Sequence, residues 1–452
     1  MNSHNQNSLM TDTPIAVVIL AAGKGTRMKS DLPKVMHAVA GRPMISHLLD
    51  TVSELSPAKV VVVVGPDMDL VTETVAPHPT CVQVDRNGTG GAVKAAAAEL
   101  EGFEGTVLVL YGDTPLVRAE TMRNAAAACA GGAAVSVLGF QPSHFHQYGR
   151  LITDDGGALT AIVEARDATP EEFKVNLCNS GVMAFDGRHV LGLLDQLDTN
   201  NSKAEYYLTD TVRLACAAGH SAAVVEGEED ELLGVNSRED LAVAEAVVQD
   251  ELRGRAMEEG ATLVEPATVW FHHDTRLGRD VVVQPNVVFG PGVTVADNVQ
   301  IKAFSHLEGA TVESGAVIGP YARLRPGAQI GANAHVGNFV EIKNAELGTG
   351  AKANHLTYIG DATIGARSNI GAGTITCNYD GFGKYRTTIG EGAFIGSNSA
   401  LVAPVAIGDG AIVAAGSTIG RDVEKDALSI ERAPQVDKPG WAGNFRALKK
   451  KD

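Results

Sequence analysis

The sequence predicts an α/β domain with a mostly parallel sheet, then a helical linker, then a parallel β-helix of hexapeptide repeats. Three observations carry this expectation. Aliphatic residues recur at every sixth position, at Ile318, Leu324, Ile330, Val336 and Ile342, and again at Ile389, Ile395, Leu401, Ile407, Val413 and Ile419. A helix needs spacings of three and four, and a half-buried strand needs alternation, so a period of six fits neither; one short strand plus a corner per hexad fits it. In the first half, buried apolar runs follow one another in βαβ rhythm, the first of them ending in Ala21-Ala22-Gly23-Lys24-Gly25-Thr26-Arg27. Between the two regions, Leu241, Ala244, Val247, Val248 and Leu252 fall at helical spacing behind Ser237-Arg238-Glu239-Asp240, which opens in the manner of a capping box.

Composition narrows the class. At 452 residues, two or more domains are expected. Hydrophobic residues make up 44% and aromatics only 5%, so the core must be built from Val, Ile, Leu and Ala, which suits parallel sheets and β-helices. The formal charge of −17, with no large basic patch, argues against a nucleic-acid partner. The five cysteines (Cys81, Cys129, Cys178, Cys216 and Cys377) are scattered, with no C-x-x-C pair, which points to reduced thiols in a cytoplasm and to no zinc site. Residues 1–13 are polar, lack the basic and apolar regions of a signal peptide, and read as a disordered tail. No apolar run approaches membrane-spanning length, so no membrane insertion is expected.

Ile15–Leu20 is a buried strand, and the glycine loop behind it lets backbone N–H groups approach a phosphate. The P-loop spacing is absent, and Met28 stands where the third glycine of a dinucleotide fingerprint would be. Arg27 and Lys34 add positive charge just downstream, as an anionic substrate requires; the bland reading is a βα turn with solvated basic residues. Further strands are expected at residues 60–64, 82–84 and Thr106–Tyr111, the last ending in Gly112-Asp113. Ligands of open α/β sheets sit beyond the carboxyl ends of strands, which puts Asp113 where a carboxylate holds Mg²⁺ against phosphates. Taken singly, such an Asp is better explained as a turn former. Gln83 precedes a second glycine turn, Gly88-Thr89-Gly90-Gly91-Ala92, where a flat base has room to approach the backbone. Tyr148-Gly149-Arg150, Ile162-Val163-Glu164, Cys178-Asn179-Ser180-Gly181, Glu205-Tyr206-Tyr207-Leu208-Thr209-Asp210 and Gly234-Val235-Asn236 acquire no role from composition.

Leu20-Ala21-Ala22-Gly23-Lys24-Gly25-Thr26-Arg27 with Pro33-Lys34 resembles the signature of sugar-1-phosphate nucleotidyltransferases. The later segments narrow the resemblance to the bifunctional bacterial enzymes that make UDP-N-acetylglucosamine. It runs from about residue 14 to the chain end, with both halves in the expected order. It implies a Rossmann-like uridylyltransferase domain at 14–236, a linker helix at 237–259 and a left-handed β-helix N-acetyltransferase domain at 260–452. By this resemblance Leu20, Ala21, Ala22, Gly23, Gln83, Gly88 and Thr89 hold uracil and ribose, and Arg27 and Lys34 face the UTP phosphates. Tyr111, Gly149, Glu164 and Asn179 hold the acetamido sugar, and Asp113 and Asn236 ligate Mg²⁺. Two departures stand out: Asp85-Arg86-Asn87 in place of Glu-Gln-Leu, and Gly91 in place of His.

In the second half, Val281, Val287, Val293 and Val299 already keep the period of six, so the coil begins by about Leu263. Residues 301–312 read as off phase, consistent with a coil fewer than the family usually has. Leu347 follows Ile342 by five residues, and residues 376–386 cannot continue a hexad and must leave the coil as a loop. Glycines after the aliphatics, such as Gly331, Gly337 and Gly396, suit corners where the backbone bends. His355 lies in the broken interval with Arg323, Arg325, Glu341 and Lys343 nearby. A lone His is usually structural; here the resemblance makes it the general base of acetyl transfer from acetyl-CoA, with Glu341 a candidate to orient the imidazole. It also implies that Arg325 and Lys343 grip the sugar phosphate of glucosamine 1-phosphate, with Tyr358 and Asn369 near the sugar. Asn378 and Tyr379 would sit by the acetyl group, and Ala372, Ser397, Ala415 and Arg432 would line the CoA groove of a homotrimer. Arg446, Lys449, Lys450 and Lys451 form a basic tail, either solvated or set against CoA phosphates. Two other classes stay open: a single-activity nucleotidyltransferase with a structural or regulatory β-helix, and a non-catalytic exchange or assembly subunit. A pure scaffold would not need His355, Lys343, Arg325 and Asn378-Tyr379. A non-catalytic subunit would be expected to lose Arg27, Lys34 or Asp113.

Overall fold

The computed structural model describes residues 13–143 and 148–450. Almost all of the expected disordered tail, and Lys451, lie outside the described residues. The chain forms two compact units, one up to residue 248 and one from residue 249.

The first unit is built on a nine-stranded sheet: β1 (Ile15–Leu20), β2 (Lys59–Val64), β3 (Thr80–Val82), β4 (Thr106–Tyr111), β5 (Val135–Phe140), β6 (Arg150–Thr153), β7 (Leu159–Val163), β8 (Cys178–Asp186) and β9 (Ala222–Glu226). Its order is β9-β5-β8-β4-β1-β2-β3, and β8 alone on this path runs antiparallel to its neighbours. The β6–β7 hairpin attaches to β8 where Arg150 pairs with Cys178. Both faces are covered, so β1 is apolar throughout: Val18 and Leu20 pack on one side, Val17 and Ile19 on the other. One expected strand is corrected. The third strand is residues 80–82, not 82–84, because it pairs Thr80 with Val62 and Val82 with Val64 at the sheet edge. Val84 has already left the sheet and is exposed.

Helix Arg238–Glu258 follows. Asp240 accepts from the amides of Asn236 (2.9 Å) and Ser237 (2.8 Å), and the Ser237 hydroxyl accepts from the Asp240 amide (3.1 Å). The same carboxylate thereby fixes the backbone at Asn236. In the second unit, Gln249 bonds both backbone groups of Phe271, at 2.6 and 2.9 Å. Among the described residues, no helix is long and apolar enough to cross a membrane.

The second unit is a parallel β-helix running from Thr262–Leu263 to Leu428–Ser429. Most short strands pair in parallel with the third strand after them, one coil on, as in Val283↔Ile301↔Ile318. Two rows point inward. One is aliphatic (Leu307, Val312, Ile318, Leu324). The other lies two residues earlier and changes from Val281, Val287, Val293 and Val299 to small residues such as Ser305, Ala310, Ala316 and Ala322. This corrects the reading of residues 301–312. Val281, Val287, Val293 and Val299 belong to the second row and the aliphatics from Ile318 onward to the first, and a single five-residue step separates Leu307 from Val312. The ladder continues through it without interruption.

At Gly337 the conformation is ordinary, but a Cβ would meet the Asn354 carbonyl oxygen on the next coil at 2.0 Å. Glycine is needed there for coil-to-coil approach, not for a bend. Gly337→Ala should therefore destabilise the β-helix by about 1–3 kcal/mol through overpacking, measured as a lowered denaturation midpoint of that unit.

Candidate functional site

The parallel strands of the first unit deliver Leu20 and Tyr111 side by side at their carboxyl ends. Beyond them lies a cleft of about 270 Å³. Of the residues selected from sequence, Leu20, Ala21, Ala22, Gly23, Lys34, Gln83, Gly88, Thr89, Tyr111 and Asp113 line it. Val35, Arg86, Ala92 and Glu205 line it too and were not selected. Arg86 donates from Nε to the Ala22 carbonyl at 2.9 Å, which ties the second glycine turn to the first. Its only signal in the sequence was its departure from the family pattern. Glu205 lies in the segment 205–210, to which composition gave no role, because the fold brings it in from far along the chain.

At the floor of the cleft, the Lys34 ammonium donates to Asp113 Oδ2 and, at 3.1 Å, to Asn236 Oδ1. Two oxygens from distant segments thus converge on one cationic centre. Arg27 is exposed on the short turn Thr26–Met28 and does not line the cleft.

Gly149, Glu164 and Asn179 lie on the hairpin side. The Asn179 amide donates to Gly149 O at 2.8 Å, and Glu164 accepts from the Thr209 hydroxyl at 3.3 Å. Thr209 adjoins Leu208, whose amide donates to Thr89 Oγ1 at 3.1 Å, so this rim is continuous with the cleft. Tyr111 lies against Gly181, where a Cβ would fall 2.8 Å from its ring. Burial pushes the Tyr111 hydroxyl well above its ordinary range, so it stays a donor. Burial also raises Glu164, against the opposing pull of Lys203.

On the β-helix, His355 sits exposed in the long strand Lys352–Ile364. It pairs with Asn338 on the preceding coil, whose Oδ1 accepts from Nδ1–H at 2.8 Å. That hydrogen bond leaves the imidazole lone pair on Nε2. The expectation that Glu341 orients the imidazole is therefore corrected. Glu341 instead binds Arg325 at 2.8 Å and Arg323 at 3.7 Å. It sits over Tyr358, three positions along from the His355 pair.

The corner that carries His355 continues as a column. Gly373 N donates to His355 O, Asn398 N to Ala372 O, and Gly416 N to Ser397 O. Arg432 closes it, donating to Ala415 O at 2.7 Å. One face of the coil adjoins this corner and carries Arg323, Arg325, Lys343 and Tyr358. At its far edge Asp361 accepts from Asn344 (2.6 Å) and from Asn378. Tyr379 opens the loop that leaves there. Asn369 is not brought to this face; it pairs with Lys352 and Phe394 on the neighbouring one.

Lys384, from the loop, went unselected. Its ammonium lies beside that of Lys343 and, with Arg325, depresses the Lys343 pKa. Burial alone would raise Asp361, but bonds from Asn344 and Asn378 and the two lysine charges outweigh it, and its pKa falls.

Comparison with known proteins agrees with both units. The MobA-like NTP transferase domain family matches residues 17–175, and bacterial transferase hexapeptide repeats match 274–309, 309–344 and 386–421. The chain is 60% identical to the bifunctional protein GlmU of Paramagnetospirillum magneticum over 97% of its own length and 98% of the relative's. It is 62% identical to that of Rhodospirillum rubrum, over 96% and 98%. It is 56% identical to that of Azorhizobium caulinodans, over 98% and 99%. The chain belongs to the GlmU family. The cleft and the histidine face therefore fall on the transferase and hexapeptide halves of a GlmU chain.

Because the folded state raises the Glu164 pKa, it binds a proton more readily than the unfolded chain. The stability contributed by this group is then highest at acid pH and falls as pH rises through the raised value. Glu164→Gln should raise the unfolding temperature of the first unit at neutral pH, and the gain should fade on acidification.

Proposed function

We propose that the cleft of the first unit is the UTP and sugar-phosphate site and that the His355 face is the acetyl-transfer site. The chain is a bifunctional transferase. It acetylates glucosamine 1-phosphate with acetyl-CoA, then joins N-acetylglucosamine 1-phosphate to UMP from UTP, giving UDP-N-acetylglucosamine and pyrophosphate.

For uridylyl transfer, the observation that carries the reading is the convergence of Asp113 and Asn236 on the Lys34 ammonium. A carboxylate and an amide oxygen on one cationic centre fit Mg²⁺, which Asp113 and Asn236 would hold and which would supply charge neutralisation at the triphosphate. Released from them, Lys34 would be free to pair with phosphate oxygens, and Arg27, exposed on the turn Thr26–Met28, would reach them from outside the cleft lining. The glycine backbone from Leu20 to Gly23, with Gln83, Gly88 and Thr89, holds the nucleoside. Tyr111, Gly149, Glu164 and Asn179 seat the acetamido sugar. The sugar phosphate oxygen attacks the α-phosphorus in line, the α–β bridging bond breaks, and pyrophosphate leaves. No protein nucleophile is needed, and positioning with charge neutralisation supplies the catalysis.

For acetyl transfer, the supporting observation is His355 with Nδ1 tied to Asn338 and Nε2 left as a base. The glucosamine nitrogen attacks the thioester carbonyl, Nε2 takes the nitrogen's proton, and the CoA thiolate departs. Arg325 and Lys343 hold the sugar phosphate, with Tyr358 beside the sugar. CoA follows the corner column past Ala372, Ser397, Ala415 and Arg432, and Asn378 and Tyr379 flank the acetyl end. Asn369 faces away from this group on its own coil, which fits a cleft completed between copies in a cytoplasmic homotrimer.

Two tests follow. His355→Ala should abolish acetyl transfer and spare uridylyl transfer, while Asp113→Ala should do the reverse, assayed by free thiol and by pyrophosphate. Loss of both activities from either change in a folded protein would refute separate sites. The C-terminal helix Trp441–Lys449 is exposed along its length, with Trp441 57% and Leu448 70% accessible. If its basic end meets CoA phosphates, removing residues after Ala447 should raise the KM for acetyl-CoA several-fold at unchanged uridylyl transfer.

A further inference from the structure

Gln83 is 7% exposed and lines the nucleotide cleft. Its Nε2 donates to Gly88 O at 3.0 Å and to Asn87 Oδ1 at 3.2 Å. Both amide hydrogens are thereby engaged, and Oε1 is the atom left to accept. Asn87 is itself anchored through its backbone: its amide donates to Asp85 O at 2.8 Å and its carbonyl accepts from Tyr206 N at 2.7 Å.

The Asn87 side chain occupies a space that exists only because residue 91 is glycine. A Cβ on Gly91 would lie 1.8 Å from Asn87 Oδ1 and 2.8 Å from its Cγ. Gly91 sits inside helix Thr89–Ala95 without a positive φ, so its backbone does not demand glycine. Room for the Asn87 carboxamide does.

We propose that Asn87, given room by Gly91, is a positioning residue for base selection: it holds the Gln83 carboxamide with its oxygen free to read the base. The proposal rests on the cleft being the UTP site. Uracil presents an N3–H donor where cytosine presents an N3 acceptor. A fixed amide oxygen accepts the first and opposes the lone pair of the second. Without Asn87 only the Gly88 carbonyl would hold the carboxamide, and any rotated population would offer its NH₂ instead and lose that distinction.

The test compares kcat/KM for UTP and CTP in the full-length protein across Asn87→Leu, Asn87→Asp, Gly91→Ala, Asn87→Ala, Asn87→Ala/Gly91→Ala and Gln83→Ala. Asn87→Leu and Gly91→Ala should each lower the UTP-to-CTP ratio roughly tenfold, mainly through a raised KM for UTP, the scale of one lost hydrogen bond. Asn87→Asp should stay within about twofold of the parent, since its carboxylate still accepts from Nε2. Gly91→Ala should add nothing in the Asn87→Ala background, where no carboxamide is left to expel. An unchanged unfolding temperature of the first unit in each preparation reports intact folding. The proposal is overturned if Asn87→Leu keeps the parental ratio while Gln83→Ala lowers it, or if Asn87→Asp falls as far as Asn87→Leu. If Gln83→Ala itself leaves the KM for UTP unchanged, the reading of the cleft as the base site fails, and the proposal with it.

Discussion

Parallel, in-register pairing is the constraint on which both units depend. A parallel ladder places like ends of strands together and stacks equivalent positions over one another. In the first unit it sets Leu20 beside Tyr111, and so gathers the glycine loop and Asp113 at one edge. In the second it stacks Arg323, Glu341 and Tyr358 in one column and Asn338 over His355 in another. The coil tolerates shortened hexads because they alter only the repeat. Val283 lies over Ile301, eighteen residues on, whereas Leu307 lies over Leu324, seventeen on. The register between strands is kept in both cases, so side chains on successive coils still meet.

Charge is the second theme. A chain of net charge −17 that handles phosphorylated substrates must hold its cations at defined points. Lys34 is held by Asp113 and Asn236. On the coil, Glu341 bridges Arg323 and Arg325, but Lys343 and Lys384 face each other with Asp361 as the nearby counter-charge. Two adjacent ammonium groups repel one another, and an added phosphate relieves that repulsion. The arrangement favours an anionic ligand before any specific contact is counted.

Much of this was legible in the sequence, and the misses share a cause. The strand runs, the glycine loop and the hexad period are local patterns, and ten of the residues selected for the nucleotide site line one cleft. Glu341 was a candidate to orient His355 from its place in the same interval of the chain. Asn338 holds that place because the coil between them is seventeen residues long and stacks the two directly. Within one chain Asn369 falls on a different face from Tyr358, because the chain turns a corner between them.

The sequence alone determined the class of each half and the chemical kinds of side chain that the sites offer, since a period of six and a buried strand before a glycine loop are properties of neighbouring residues. Only the tertiary structure decided which side chains meet. Both inward rows of the β-helix are written in the sequence, but telling them apart required the core that they jointly fill. The pairing of Asn87 with Gly91 was likewise visible only as two unrelated departures. A helical turn brings them together, and the missing Cβ decides which way the Gln83 carboxamide is held.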